Sequence, residues 1–478
     1  MKRWILVVIL VLVLSVLAMA VVTWLASPLA GDFSPPEGAL DVPVRSGIQI
    51  LFNEPMRRET VERRLSIDPP RSGEFTWDGS LMTSTPDVPW PAGSQVQVYL
   101  EAGGRAQAGL GLPLLSSYRW SFTTAQTRLA YLWPSDAPAD IYTLEPLSGE
   151  VRQLSDGANV LDYSLSLDGL SVFFSAANGQ SGADLYQLDL LQAATASGAP
   201  APARLLSACG HIACRSPQAS PDGKWLAYER IDPSAESGSQ VWLLNLADNQ
   251  ASPLGADGHL TETPRWSPAG YLVYYDQQQA AYIFIDLAGG WRFEAPNSTG
   301  KAGSWAPDSS AFLAPEIVYV GTQDVPVLGS SGLVRYVPFG PVTNLTSAEN
   351  IEDSTPAYSP DGASIAFGRK YLDEARWSFG RQLWLMNADG TNQRQLTSGN
   401  TWNQEPVFSR CGTRILFQSE RDGNTEIYVM KADGSDQTRL TNNSTYDGDP
   451  QWTPDGKRIV FDSERAGSAE IFIMNADG

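Results

Sequence analysis

The chain is poor in the residues that most often perform chemistry. Of its 478 residues only two are histidine, His211 and His259, and only three are cysteine, Cys209, Cys214 and Cys411. Neither histidine sits beside a nucleophile motif. No Gly-x-Ser-x-Gly elbow, phosphate-binding Gly-x-x-x-x-Gly-Lys, Gly-x-Gly-x-x-Gly or His-Glu-x-x-His occurs. No catalytic, cofactor-binding or metal-binding residue is therefore assigned. Positive charge is scarce too: 33 lysines and arginines face 53 aspartates and glutamates, a formal net charge of −20. Such a surface repels phosphates, which excludes nucleic acid and electrostatic docking on anionic lipid. Any membrane contact must be apolar.

One segment supplies that contact. Lys2 and Arg3 precede an almost unbroken apolar run from Trp4 to Ala26. About 20 apolar residues cross a bilayer, whereas a secretory signal core has about 7–15. The single Ala-x-Ala triplet, Ala18-Met19-Ala20, lies inside the run, which favours an uncleaved anchor over a cleaved signal peptide. No cysteine follows for lipid attachment. The basic pair keeps the N-terminus cytoplasmic and sends the bulk of the chain outside, periplasmic or at the cell surface. Residues 1–30 are read as a cytoplasmic tip and a single-pass signal anchor.

The cysteines fit that compartment. Cys209 and Cys214, in "CGHIAC", form a candidate structural disulfide. A metal site with His211 between them is the alternative, but it shows three ligands where zinc takes four. Cys411 stands alone at a turn.

Residues 31–126 read as a small β-sandwich. "SGIQILF" and "SQVQVYL" alternate apolar and polar, "GEFTWDGSLMTSTP" reads as a hairpin turning at Asp78-Gly79, and "YRWSFTT" closes the segment. The opening "SPPEGALDVPVRSGIQILFNEPM", with "GEFTWDG" and "WSFTT", resembles bacterial Ig-like domains of the SbsA type (Big_5) over about residues 33–124. That resemblance implies spacing or adhesion outside the cell and carries no catalytic residues.

Residues 127–478 repeat. A Ser-Pro-Asp-Gly phrase or a variant places its third residue at Asp168, Asp222, Ala269, Asp308, Asp361, Cys411 and Asp455. The spacing and about four short strands per unit match a propeller blade of about 40–50 residues. Proline ends the strand, Asp accepts backbone N–H groups as an Asx turn, and Gly takes the reversal. The aromatic before the phrase (Trp266, Trp305, Tyr358, Phe408, Trp452) is placed to pack between blades. The units "SPDGKWLAYE…VWLLNL", "SPDGASIAF…LWLMNADGTNQRQLT" and "EIYVMKADGSDQTRLT" resemble the WD40-like PD40 repeats of the TolB β-propeller family. The expected fold is all-β: an N-terminal transmembrane helix, an Ig-like sandwich, and a propeller of seven four-stranded blades, alternatively eight. A partial blade at Arg128–Ser155 and a last unit ending after "EIFIMNADG" make closure mix strands from both ends, and leave open that the sequence is incomplete.

Two features bear on function, acidic turns at the second hairpin loop of the unit and an insert in the repeat. "SERDG" (Ser419–Gly423) and "DSERAG" (Asp462–Gly467) cluster carboxylates but have no calcium-binding ladder, and read as solvated turns. The insert "KYLDEARWSFGRQ" (Lys370–Gln382) gathers Arg376, Trp377, Phe379 and Arg381, residue types enriched at interface hot spots. These four are the candidate interface. The resemblance implies protein partners in the envelope. The expected function is a membrane-anchored extracytoplasmic binding scaffold for a protein or cell-wall ligand. The alternative is a propeller-type hydrolase or lyase acting on a glycan or other small substrate, for which facing carboxylates with raised pKa values would speak.

Overall fold

A computed structural model describes residues 12–15, 26–134, 138–190, 200, 202–232, 238–301, 303–322, 325–346, 350–372 and 379–478. The chain separates into two compact units, Met1–Arg128 and Leu129–Gly478. Most of the apolar run from Trp4 to Ala26 lies outside the described residues. Among the described residues no helix is long and apolar enough to cross a membrane.

The first unit is a two-sheet sandwich. One sheet orders Ala30–Ser34, Ile48–Phe52, Leu81–Pro86 and Gly73–Asp78; the other orders Leu65–Asp68, Gln95–Leu100 and Tyr118–Thr123. Alternation does the work anticipated from sequence: Ile48, Ile50 and Phe52 from one sheet meet Val96, Val98, Leu100, Trp120 and Phe122 from the other. Gly79 takes φ +58° in the hairpin after Asp78.

The second unit is a run of eight strand groups in six sheets, because parallel pairing of Ala183 with Ala213 and of Ser331 with Glu352 joins two groups into one sheet in each case. Six are four-stranded meanders over residues 160–207, 213–253, 261–296, 304–344, 351–395 and 403–439; the flanking ones, 129–153 and 447–475, have three strands. We number them blades 1 to 8 in chain order. The favoured count of seven gives way to eight. The first three and last three strands pair only among themselves, so no blade is assembled from both ends. First strands approach one another from blade 2 to blade 4 and from blade 5 to blade 8, as they do around a propeller axis.

Local chemistry explains the blades. At the turns, Asp222 Oδ1 accepts from Ser220 Oγ at 2.6 Å and from the Lys224 N–H at 3.1 Å, and Asp361 and Asp455 repeat the pattern. The aromatics pack between blades and do more. The indole N–H of Trp266 donates to Gln218 O (2.9 Å), Trp305 to Arg265 O (3.3 Å) and Trp452 to Val407 O (3.2 Å), each reaching the first strand of the preceding blade. A second set of clasps runs the other way. Arg414 Nη1 of blade 7 donates to Ala476 O of blade 8 at 3.1 Å, and Arg458 of blade 8 donates to Pro146 O of blade 1. Ala476 follows the third strand of blade 8 and Pro146 the second strand of blade 1; among the described residues blade 1 has no inner first strand, so the two hold the same place. Blade 1 therefore follows blade 8 as blade 8 follows blade 7, and the ring closes by side-chain contact.

Candidate functional site

The first strands carry a feature the repeat phrase hides. In blades 3, 4, 6, 7 and 8 the residue before a proline has positive φ: Ser216 (53°), Thr263 (55°), Thr355 (46°), Glu405 (55°) and Asp449 (47°). At each place the register with the second strand shifts, a β-bulge. The following proline has no N–H to lose from the ladder. Left-handed, non-glycine residues are costly, and β-branched threonine especially so; they persist where surroundings hold them. Five such polar residues mark the same point of five axial strands.

The bulge frees backbone N–H groups, and carboxylates of the preceding blade take them. Asp162 Oδ2 of blade 2 accepts from the Ser216 N–H at 3.2 Å and from Arg215 Nε at 2.6 Å. Glu229 Oε1 of blade 3 accepts from the Thr263 N–H at 2.8 Å. Burial pushes Glu229 up, and that N–H works against the shift. Blade 6 holds its acid with a buried bidentate pair, Arg369 Nε to Asp353 Oδ1 (2.7 Å) and Nη2 to Oδ2 (2.8 Å).

The junction of blades 7 and 8 differs. Gln418, in register with the residue before the bulge as Glu229 is in blade 3, donates Nε2 to Glu405 Oε2 (2.5 Å) and to Asp449 Oδ1 (3.3 Å). One neutral amide thus serves two carboxyls from adjacent blades, with Asp462 close by. Burial, then a shared hydrogen bond with Asp449, pushes the Glu405 carboxyl up to about 7. Burial and Asp449 also raise Asp462. Burial and these same acids raise the Tyr446 phenol. Gly448 leaves the space that the Tyr446 ring and hydroxyl occupy, so a side chain there would displace the tyrosine. Among the described residues no lysine or arginine pairs with Glu405, Asp449 or Asp462, and no three ligating groups converge to hold a metal.

Comparison with known proteins places both units. Residues 27–124 match the bacterial Ig-like domain family, and residues 373–478 match the Tricorn protease N-terminal beta propeller domain. The chain is thus similar to a bacterial Ig-like domain in its first unit and to a β-propeller domain in its last quarter. Similar solved structures include a TolB described as putative from Agrobacterium tumefaciens (22% identity, 51% of this chain and 87% of that one, TM-score 0.36). The β-propeller domain of the Trilobed protease from Pyrococcus furiosus is 13% identical over 66% of this chain and 94% of that one, with TM-score 0.44. Oligogalacturonate lyase from Vibrio parahaemolyticus is 13% identical over 73% and 97%, with TM-score 0.45.

Within this propeller the residues singled out by sequence scatter. Cys209 and Cys214 are bonded, closing the turn between blades 2 and 3, so neither thiolate is available to a metal beside His211. Arg376 and Trp377 lie outside the described residues. Phe379 is 60% exposed, its N–H bonded to Asn400 Oδ1 at 2.5 Å. Arg381 is largely buried, against the exposure expected of an interface residue. It is 7% exposed, its Nη2 lies 2.6 Å from Glu352 Oε1, and its stem fills the space left by Gly368. The acidic turns are not merely solvated either. Arg421 folds back over Tyr428 (4.5 Å) and Arg465 over Phe472 (4.7 Å), each bonded to the serine two residues before it. Sequence reasoning missed the Glu405–Asp449–Asp462 cluster. Its signal was a polar residue before a proline of the first strand, ahead of the Ser-Pro-Asp-Gly phrase or its variant in blades 3, 4, 6, 7 and 8.

Proposed function

We propose that the protein is an extracytoplasmic binding scaffold. The apolar run Trp4–Ala26 tethers it to the cell membrane, the Ig-like domain acts as spacer, and the propeller presents a rigid surface to an envelope protein or cell-wall partner. One observation carries the reading: carboxyls at the blade 7–8 junction lack the arginine that neutralises Asp162 and Asp353. Uncompensated acid on a rigid frame suits a ligand that brings positive charge or N–H donors. Tagged protein incubated with intact envelopes recovers such a partner at low salt. The triple variant Glu405→Gln, Asp449→Asn, Asp462→Asn loses it. Recovery of nothing above background, or equal recovery by the variant, would overturn the reading.

A second reading has a specific observation behind it. A carboxyl pushed up to about 7 beside other carboxyls is the pattern of a general acid in glycoside chemistry. A panel of oligosaccharides incubated between pH 5 and 8 tests it, with Glu405→Gln as control. Absence of turnover across the panel removes it.

A further inference from the structure

Four blades stack an arginine, from the second strand or the turn after it, on aromatic rings. Arg230 lies 3.7 Å from the Trp242 ring centre, Arg369 4.8 Å from Trp384, Arg421 4.5 Å from Tyr428 and Arg465 4.7 Å from Phe472. In three of them the guanidinium takes an oxygen from its own blade's first strand. The acceptors are Asp353 in blade 6, Asn403 in blade 7 and Asp447 in blade 8, at 2.7–2.8 Å. Blade 3 is the exception.

Arg230 holds the place of Arg369. Across the ladder Arg369 faces Asp353, and Arg230 faces Cys214. Cys214 is 0% exposed and bonded to Cys209. A disulfide sulfur accepts hydrogen bonds poorly. Arg230 Nε is accordingly buried with no hydrogen-bond partner, and so is the Tyr228 hydroxyl on the same face. Buried donors without acceptors are costly. Reduction supplies the missing acceptor, because a Cys214 thiolate puts negative charge where blade 6 has Asp353. The charge around Cys209 is of the other kind: its N–H donates to Asp184 Oδ1 at 2.7 Å, and that acid disfavours a thiolate there. Arg215 and Glu229 alternate to the opposite face, held by Asp162 and the Thr263 N–H. His211 is exposed in the turn.

We infer that the Cys209–Cys214 disulfide is a site of thiol–disulfide exchange with a dithiol partner, and that Arg230 receives the departing Cys214 thiolate. Cys214 is buried and Cys209 partly exposed, so the partner's thiolate attacks Cys209 Sγ. The S–S bond breaks, its electron pair stays on Cys214, and a mixed disulfide forms at Cys209. The partner's second thiol gives its proton to water and displaces Cys209, which leaves as a thiolate and takes up a proton. Two electrons pass to the protein, and the partner departs as a disulfide. A leaving thiolate stabilised by a cation departs faster. The Arg230–Cys214 pair then ties the first two strands of blade 3 as Arg369–Asp353 ties those of blade 6, and the turn from blade 2 is released. The inference does not rest on the acidic junction.

The probe is dithiothreitol, added to the full chain carrying Cys411→Ser under native conditions, with free thiols counted by maleimide labelling. Reduction to two thiols with the circular dichroism of the folded protein retained is expected. Arg230→Gln slows that reduction by about tenfold or more. With Cys209→Ser added, Cys214 is the only thiol, and its thiolate absorbance appears below the ordinary pKa of about 8.5 and moves upward in Arg230→Gln. A variant pair keeps the test open should Arg230→Gln not fold. Cys209→Ser with Cys214→Asp rebuilds the blade 6 pair and has a higher Tm than Cys209→Ser with Cys214→Asn. A disulfide that resists reduction until the protein unfolds, equal rates with and without Arg230, a Cys214 titration at or above the ordinary value, or no gain in Tm from the aspartate overturns the inference.

Discussion

Two blade junctions solve one problem differently. Between blades 2 and 3 the acid at the bulge, Asp162, meets Arg215 as well as a backbone N–H. Between blades 7 and 8 two acids meet one amide, that of Gln418. The backbone bends alike in blades 3, 7 and 8, with left-handed Ser216, Glu405 and Asp449, so the difference lies in the side chains. The lesson is that the repeat fixes where polar groups stand on the axis, and single substitutions decide their charge. A junction with its own cation is closed chemistry. One without it either holds a proton or takes a ligand.

The largest expected effect comes from breaking the compensated kind. Arg369→Ala leaves Asp353 buried and alone, and should cost about 3–5 kcal/mol, read as a fall in the denaturant midpoint. Exchanging the 2–3 junction for the other type is milder. Arg215→Gln removes a charged hydrogen bond to a partly exposed acid, a loss of about 1–2 kcal/mol. At the uncompensated junction the sign reverses. The Glu405 pKa is raised to about 7 in the folded state, so folding favours the protonated form. That contribution is complete below the ordinary carboxylate range near 4.3 and is lost as pH rises through 7. Glu405→Gln should therefore leave stability unchanged at pH 4 and raise it by about 1 kcal/mol at pH 8, after discounting for solvent screening. Equal effects at both pH values would refute the shared proton.

The smallest effect separates the turns of the same two blades. Cys411 stands where blade 8 has Asp455, with Sγ 3.0 Å from Thr413 Oγ1 and 3.5 Å from Ser409 Oγ. Hydrogen bonds from Ser409 and then Thr413 hold the thiol down to about 7. Its alkylation rate should reach half its maximum near pH 7. Cys411→Asp should abolish the alkylation and leave the Tm within about 2 °C, as expected for an exposed turn. A midpoint near 8.5 would mean that the thiol does not mimic the aspartate.

Much of the fold was legible because its rules are local. Alternation at Val96, Val98 and Leu100 fixes a strand face, and the Asp361 turn needs only its own neighbours. What escaped depends on partners distant in sequence. Arg381 looked exposed because its loop is polar, yet Gly368, 13 residues earlier, leaves the gap that buries it. The blade count turned on whether strands more than 300 residues apart pair, which no periodicity can say. The acidic cluster needed Glu405 and Asp449, on different blades, to meet at Gln418. The left-handed residue before proline was the one local sign, and it runs against the usual extended preference of that position.

The tryptophan clasps give the ring a direction. Trp266, Trp305 and Trp452 each reach back to a carbonyl of the blade before. A chain that emerges N-terminus first, as from the ribosome, finds each acceptor already in place when the next indole emerges. Assembly can then proceed like a ratchet, one blade at a time, with every new unit tested against its finished predecessor. The same wiring read backwards would leave each indole waiting for a carbonyl not yet delivered.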